Sequence, residues 1–271
     1  MKASVCILFL TILISSCNNS NVNAKKEIKD QDIFIELVSQ RMDSINSCIS
    51  TNPIQIEKNK NKKRYYTRQY YNILSQYADS VQIINNWTGK VKDFEYRKGE
   101  KSSFIFLNIE IEYNGDNYKV GYPYDRIILK SVYTIDNNSK ENDVVFNNMS
   151  NINENSNVYL MGYFNRSMNG HISVGEKFNE FNFTILNIST SPITNNISDN
   201  ARSAVGEKFK ELKIIGSGIL NKKTEKQIKK ETSFLKMDSI KNTLIDDDKK
   251  LLDKIEKSYL LNIAREYIDK K

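Results

Sequence analysis

The segment Ser102–Tyr124, SSFIFLNIEIEYNGDNYKVGYPY, constrains the fold more than any other part of this chain. Ile105, Leu107, Ile109, Ile111 and Tyr113 fall on one side of an extended backbone, with Asn108, Glu110 and Glu112 on the other. A repeat of two fits a strand with one face in a core and one in water. Asn114-Gly115-Asp116-Asn117 then predicts a hairpin turn, because Asn and Gly tolerate the positive φ that such turns need. Further strands are expected around Trp87–Tyr96, Asn157–Phe164 and Glu180–Ser189. In the second of these, Val158, Leu160, Gly162 and Phe164 alternate with Tyr159, Met161 and Tyr163. With a helical stretch near 143–150, these short strands imply a small closed or sandwiched sheet.

Helical periodicity lies on either side. Phe34, Leu37, Val38, Met42, Ile45 and Ile49 recur at spacings of three and four, predicting an amphipathic helix that the Thr51-Asn52-Pro53 step ends. A second helix is expected from about Ile56 to Ser80, with Tyr70, Leu74, Tyr77 and Ala78 on one face. After the sheet, SPITNNISDNAR from Ser191 reads as a polar connector. Leu251, Leu252, Ile255, Tyr259, Ile263 and Tyr267 then trace a final helix. The acids Asp246, Asp247 and Asp248 ahead of it suit the positive end of its dipole better than a metal site. VGEKFNEF at 174–181 and VGEKFKEL at 205–212 echo each other. Their flanks do not match over a full repeat unit, so both are read as strands or turns of similar local chemistry.

Trp87-x-Gly89-x-Val91, Val158-x-x-x-Gly162-x-Phe164 and Phe181-x-Phe183 followed by Ile188 form a pattern similar to an OB-fold-like family. That family is named for its likeness to anticodon-binding domains. The resemblance covers about residues 31–190 and departs from the family in the long Asn-rich stretch Asn137–Asn157. It implies an α+β protein: a small OB-like antiparallel β-barrel preceded by two helices and followed by a helical C-terminal extension. The corresponding divisions are a helical lead-in at 31–80, the barrel at 81–190 and a mostly helical region at 191–271.

The N-terminus concerns address. Lys2, the apolar run Val5–Ile14 and the small residues Ser15 and Ser16 compose a secretion signal. The run is far shorter than the roughly 20 residues a membrane-spanning helix needs. Ile14-Ser15-Ser16-Cys17 resembles the lipobox of bacterial lipoproteins, in which the cysteine is acylated and becomes the mature N-terminus. The resemblance implies cleavage after residue 16, a lipid anchor on Cys17 and a flexible tether over 17–30. It places the protein in the bacterial cell envelope, facing the periplasm or the cell surface. An ordinary signal cut elsewhere and a buried N-terminal helix are the alternatives. Cys6 would be removed with the signal, leaving Cys48 as a single thiol with the spacing of a buried core residue.

The formal net charge is +7, with acids and bases interspersed through most of the chain. The clearest basic cluster is KNKNKKR, Lys58–Arg64. Such a run can meet phosphates, lipid headgroups or a polyanionic glycan, or be a solvated helix start or loop. There is one histidine, His171, in SMNGHISVG, and it reads as a loop or strand-end residue. One imidazole and scattered thiols do not compose a zinc site, and no Ser-His-Asp set, Walker motif or dinucleotide glycine pattern is present. Neither cofactor nor metal is expected.

Binding without catalysis is therefore the expected function, directed at an envelope protein or glycan. Tyr118, Lys119, Tyr122, Tyr124 and Arg126 form a mixed aromatic and basic strip, which Tyr163 and Arg166 would extend. The same tyrosines also fit ordinary amphipathic strands. Two other readings stand beside this one: a hydrolase acting through paired carboxylates, and a nucleic-acid or nucleotide binder using the OB-like face. The secretion signal argues against the last.

Overall fold

The computed structural model describes residues 30–40, 53–111, 126–138, 143–167, 170–175, 177, 179–194, 197–233, 235 and 242–269. Cys17, Cys48, the turn Asn114–Asn117, and Tyr118, Lys119, Tyr122 and Tyr124 lie outside them, as do Met42, Ile45 and Ile49. The described elements run α1 (30–40), α2 (Pro53–Val81), β1 (Ile84–Arg97), β2 (Ser102–Ile111) and β3 (Ile127–Asp136). They continue with α3 (Val144–Met149), β4 (Asn157–Phe164), β5 (Glu180–Ser189), α4 (Asp199–Leu220), α5 (Glu225–Thr232) and α6 (Asp246–Asp269). The protein is α+β, built on a closed five-stranded barrel.

Around the barrel the strands follow the order β1-β2-β3-β5-β4 and return to β1. The barrel is not wholly antiparallel. β3 and β5 run parallel, with Leu129 opposite Phe181. The chain travels from β3 to β5 through α3 and β4 instead of a hairpin, so β5 arrives in the same direction as β3. The strand paired with β2 also lies later than the turn signal suggested. It is IILKSVYTID, with Ile111 opposite Ile127 and Ser102 opposite Asp136.

Alternation decides what fills the barrel. Ile105, Leu107, Ile109 and Ile111 of β2 are buried with Ile127, Leu129 and Ile135 of β3, and with Val158, Leu160 and Phe164 of β4. Closing so small a barrel requires sharp coiling, and a register shift between Val91 and Asp93 supplies part of it. Gly162 permits the close crossing of β4 over β5, since a Cβ there would lie 2.6 Å from the Phe183 ring.

Helix α1 enters this core. Phe34 packs against Trp87 at 5.4 Å, Phe164 at 4.7 Å and Phe181 at 5.1 Å between ring centroids. Gln31 fixes the depth of insertion: its side chain donates to the Thr88 carbonyl at 2.7 Å and accepts from the Thr88 N–H at 2.8 Å, as a neighbouring strand would. Pro53 opens α2, a first-turn position where proline's missing N–H costs nothing, and the expected end of the preceding helix lies outside the described residues.

Beyond the polar connector from Ser191, helices cover the outer wall of the barrel. Ser198 caps α4 by accepting from Ala201 N–H at 3.0 Å. Ala204, Val205, Phe209 and Leu212 of α4 then pack with Leu252, Ile255 and Tyr259 of α6 over Ile83, Tyr163 and Leu186. VGEKFKEL is thus helical, whereas in VGEKFNEF Glu180 and Phe181 open β5, with Val174 bridged to Phe181. Among the described residues no helix is long and apolar enough to cross a membrane.

Candidate anion-binding groove

Helix α2 is two helices in chemical character. Tyr70, Leu74, Tyr77 and Ala78 in its second half are buried against the barrel and α1. Its earlier turns carry Lys60, Lys62, Lys63, Arg64 and Arg68, all exposed. Lys60, Arg64 and Arg68 stand four residues apart and so form one ridge, with about 6 Å of rise between successive side chains. Lys63, Thr67 and Tyr71 form the neighbouring ridge. Together with Asn72 and His171 these residues line a groove of about 660 Å³.

Among the described residues nothing neutralises the groove's charge. Among the described residues, Lys60, Lys63, Arg64 and Arg68 form no ion pair. From Lys60 to Val81, Asp79 is the one acid in α2, and it is engaged elsewhere: Arg166 Nη2 meets its carboxylate at 2.9 Å. Arg166 is buried, donates to the Ser75 carbonyl at 3.4 Å, and lies under the Phe209 ring at 5.7 Å. Burial pushes the Arg166 guanidinium down from its ordinary pKa, and Asp79 opposes that shift.

This bolt brings the histidine to the groove. Arg166 is bridged to Ile172 across the loop between β4 and β5, and the Ile172 N–H donates to Ser75 Oγ at 3.2 Å. His171 Nδ1 lies 3.3 Å from the same hydroxyl. Gly170 adopts φ +79°, where a side chain would strike the Lys213 methylenes, so Lys213 of α4 lies across the loop next to the imidazole. His171 is held below its ordinary pKa by partial burial first, then by Lys213 and Arg166, with Asp79 opposing and Arg68 adding a little. Near neutral pH it is therefore uncharged.

These groups can hold anions. Arginine presents a planar fork suited to carboxylate or phosphate, and lysine adds a mobile point charge. An anion seated here would relieve repulsion among the cations and favour protonation of His171.

The expected aromatic strip fares differently. Its four members from Tyr118 to Tyr124 lie outside the described residues. Arg126 is exposed at the start of β3, 3.8 Å from Glu110, which also meets Lys92 at 3.1 Å. Tyr163 and Arg166 are buried under α4: Tyr163 packs on Phe209 at 5.4 Å, and Arg166 is the interior bolt just described. The groove was partly legible, since the spacing of Lys60, Arg64 and Arg68 is visible once the segment is known to be helical. The approach of His171 and Lys213 is tertiary and leaves no local signal.

Fold and groove define an α+β barrel protein with a basic helix whose groove cations form no ion pair among the described residues. Set against known proteins, the chain matches no family model, and no curated protein or solved structure matches it.

Proposed function

We propose that this chain is a lipid-anchored protein of the bacterial cell envelope that holds an acidic partner non-enzymatically in the α2 groove. The observation that carries the binding reading is the set of groove cations with no ion-pair partner among the described residues. The partner class follows from the charge: an acidic glycan, or an acidic segment of a protein. The address rests on the likeness of Ile14–Cys17 to a lipobox. Acyl chains on Cys17 would contribute about 0.8 kcal/mol per buried methylene, and two or more chains make such attachment stable.

The OB-like reading of the barrel belongs to the same proposal. Its support is the strand order β1-β2-β3-β5-β4, the parallel β3–β5 pairing and the short helix between β3 and β4. An OB-like barrel suggests ligand binding on the outer face of its early strands. Here that face mixes Lys90, Lys92 and Arg97 with Asp93, Glu95 and Glu110, and several of these pair with one another. The α2 groove, free of acids, is the stronger anion site.

Titration with polygalacturonate and with poly-glutamate, using dextran as the neutral control, tests the binding reading. Low-salt binding to at least one polyanion is expected. It should weaken as salt screens the charges, and fall at least about tenfold in the Arg64→Ala/Arg68→Ala double variant. Binding indifferent to the double substitution, or absent at low salt, would refute it. Membrane fractionation of Cys17→Ser tests the address: release from the membrane is expected, and retention equal to the parent would contradict the anchor.

A further inference from the structure

A second cleft, of about 420 Å³, opens where α6 crosses β3 and β5. Its lining includes Lys254 and Ser258 of α6, Val132 and Tyr133 of β3, and Thr184 of β5. Lys254 Nζ sits 5.1 Å from the centroid of the Tyr133 ring and donates to its hydroxyl at 3.4 Å, a long contact. That hydroxyl is already committed as a donor to the Asp143 carboxylate, 2.9 Å from both oxygens. Asp143 in turn caps α3 by accepting from the Phe146 N–H at 3.0 Å. The carboxylate nearest to Lys254 in this chain of contacts is thus separated from it by a phenol.

An ammonium carries three N–H donors, and the described residues engage one of them, weakly. Burial holds Lys254 below its ordinary pKa, with Asp143 partly offsetting the shift. A cation removed from water without a direct counter-ion is a cost that a ligand anion would relieve. The cleft's other groups narrow the choice. Thr184 Oγ donates to Asn165 Oδ1 at 2.6 Å, so Ser258 is the donor in their 3.3 Å contact, a long bond that it would exchange for one to a ligand carboxylate. Val132, 42% exposed, and the Tyr133 ring give an apolar floor. Lys250 and Lys257 stand at the rim with Asp253, and Lys250 is already paired to Asp247 at 3.1 Å. The rim therefore tolerates one negative charge better than several.

We propose that this cleft binds a small organic monocarboxylate, with its carboxylate on Lys254 and Ser258 and its apolar body against Val132 and Tyr133. The site is separate from the α2 groove and does not depend on how that groove is used. Benzoate is a suitable probe, followed by NMR of the full chain labelled at the lysine ε-carbons. The Lys254 signal is identified by its disappearance in Lys254→Met.

Saturable movement of that signal is expected, and its titration midpoint should rise by about half a pH unit or more when benzoate is bound. Lys254→Met should weaken benzoate at least about tenfold, whereas Lys229→Met, on exposed α5, should not. No saturable shift, or undiminished binding in Lys254→Met, would overturn the proposal. Inorganic phosphate binding as well as benzoate would overturn its claim to an apolar body. Should Lys254→Met fail to fold, the titration of the unaltered protein, with the shifting signal assigned through Lys254→Arg, decides the matter.

Discussion

The barrel interior and the layer over its outer wall are held by different physics. Inside, the aromatics Phe34, Trp87, Phe164, Phe181 and Phe183 meet aliphatic chains from all five strands. Outside, Tyr163, Phe209, Leu212 and Tyr259 share their layer with two buried cations, Arg166 and Lys208. Apolar packing tolerates many arrangements of similar volume, whereas an ion pair has one geometry. The interior therefore supplies most of the stability, and the outer layer fixes orientation. Arg166 with Asp79 ties the His171 loop to α2, while Lys208, paired within its own helix to Glu211 at 2.7 Å, ties α4 to α6 through Glu256 at 3.0 Å.

The sharpest way to break this contrast is truncation in each layer. Trp87→Ala should cost about 4 kcal/mol in urea unfolding, because a fully buried ring leaves a large cavity. Phe209→Ala should cost about 3 kcal/mol, since its rim position lets neighbours and water relax into the gap. If Phe209→Ala proves the costlier, the division of labour is wrong.

Asp79→Asn comes next, at about 1–2 kcal/mol. It strands the buried guanidinium, but Asp79 is 55% exposed, so water already weakens the pair. The same change removes the acid that opposes depression of His171, so the imidazole should titrate lower still. Lys208→Met should be smallest, within about 1 kcal/mol of the parent. Burial alone would lower the Lys208 pKa, and Glu211 with Glu256 more than offsets it. A methionine of similar length keeps the packing and leaves two carboxylates that solvent reaches.

A pH dependence follows from His171. Its folded pKa lies below the unfolded value, so the unfolded chain binds more protons in the window between the two. Stability should be fully present above about pH 6.5 and decline as pH falls through the folded pKa. Chemical denaturation of His171→Gln against the parent across that window measures it. The variant should lose that part of the acid sensitivity.

Legibility in the sequence followed the same division. β2, β4 and β5 were readable because one face alternates with the other, and the inward set of β4 is the set that packs inside. β3 escaped notice because the buried Ser131 interrupts its apolar face and the tyrosine-rich segment before it competes for the hairpin. The two VGEKF copies show why the outer layer was opaque. In α4 the pentapeptide is drawn into a helix by Ala201, Ala204, Val205 and Leu212 and by the Ser198 cap. At 174–178 it precedes the strong strand pattern of β5. Gly206 weakens the local helix signal, yet its bare Cα admits the Gln82 side chain. Tyr163 and Arg166 were readable as outward-facing. That α4 would cover them was not, because VGEKFKEL at the centre of that helix reads as a strand or turn.

The central claim, that the α2 groove takes an anion beside His171, is open to one direct measurement. The chain contains a single histidine, so its ring-proton NMR signal needs no assignment in untagged protein. Titrating it from pH 4 to 8, alone and saturated with the tighter of the two polyanions, should give a midpoint below about 6.5 in the free protein and a higher one in the complex. A polyanion that binds while the histidine midpoint stays where it was would contradict the claim.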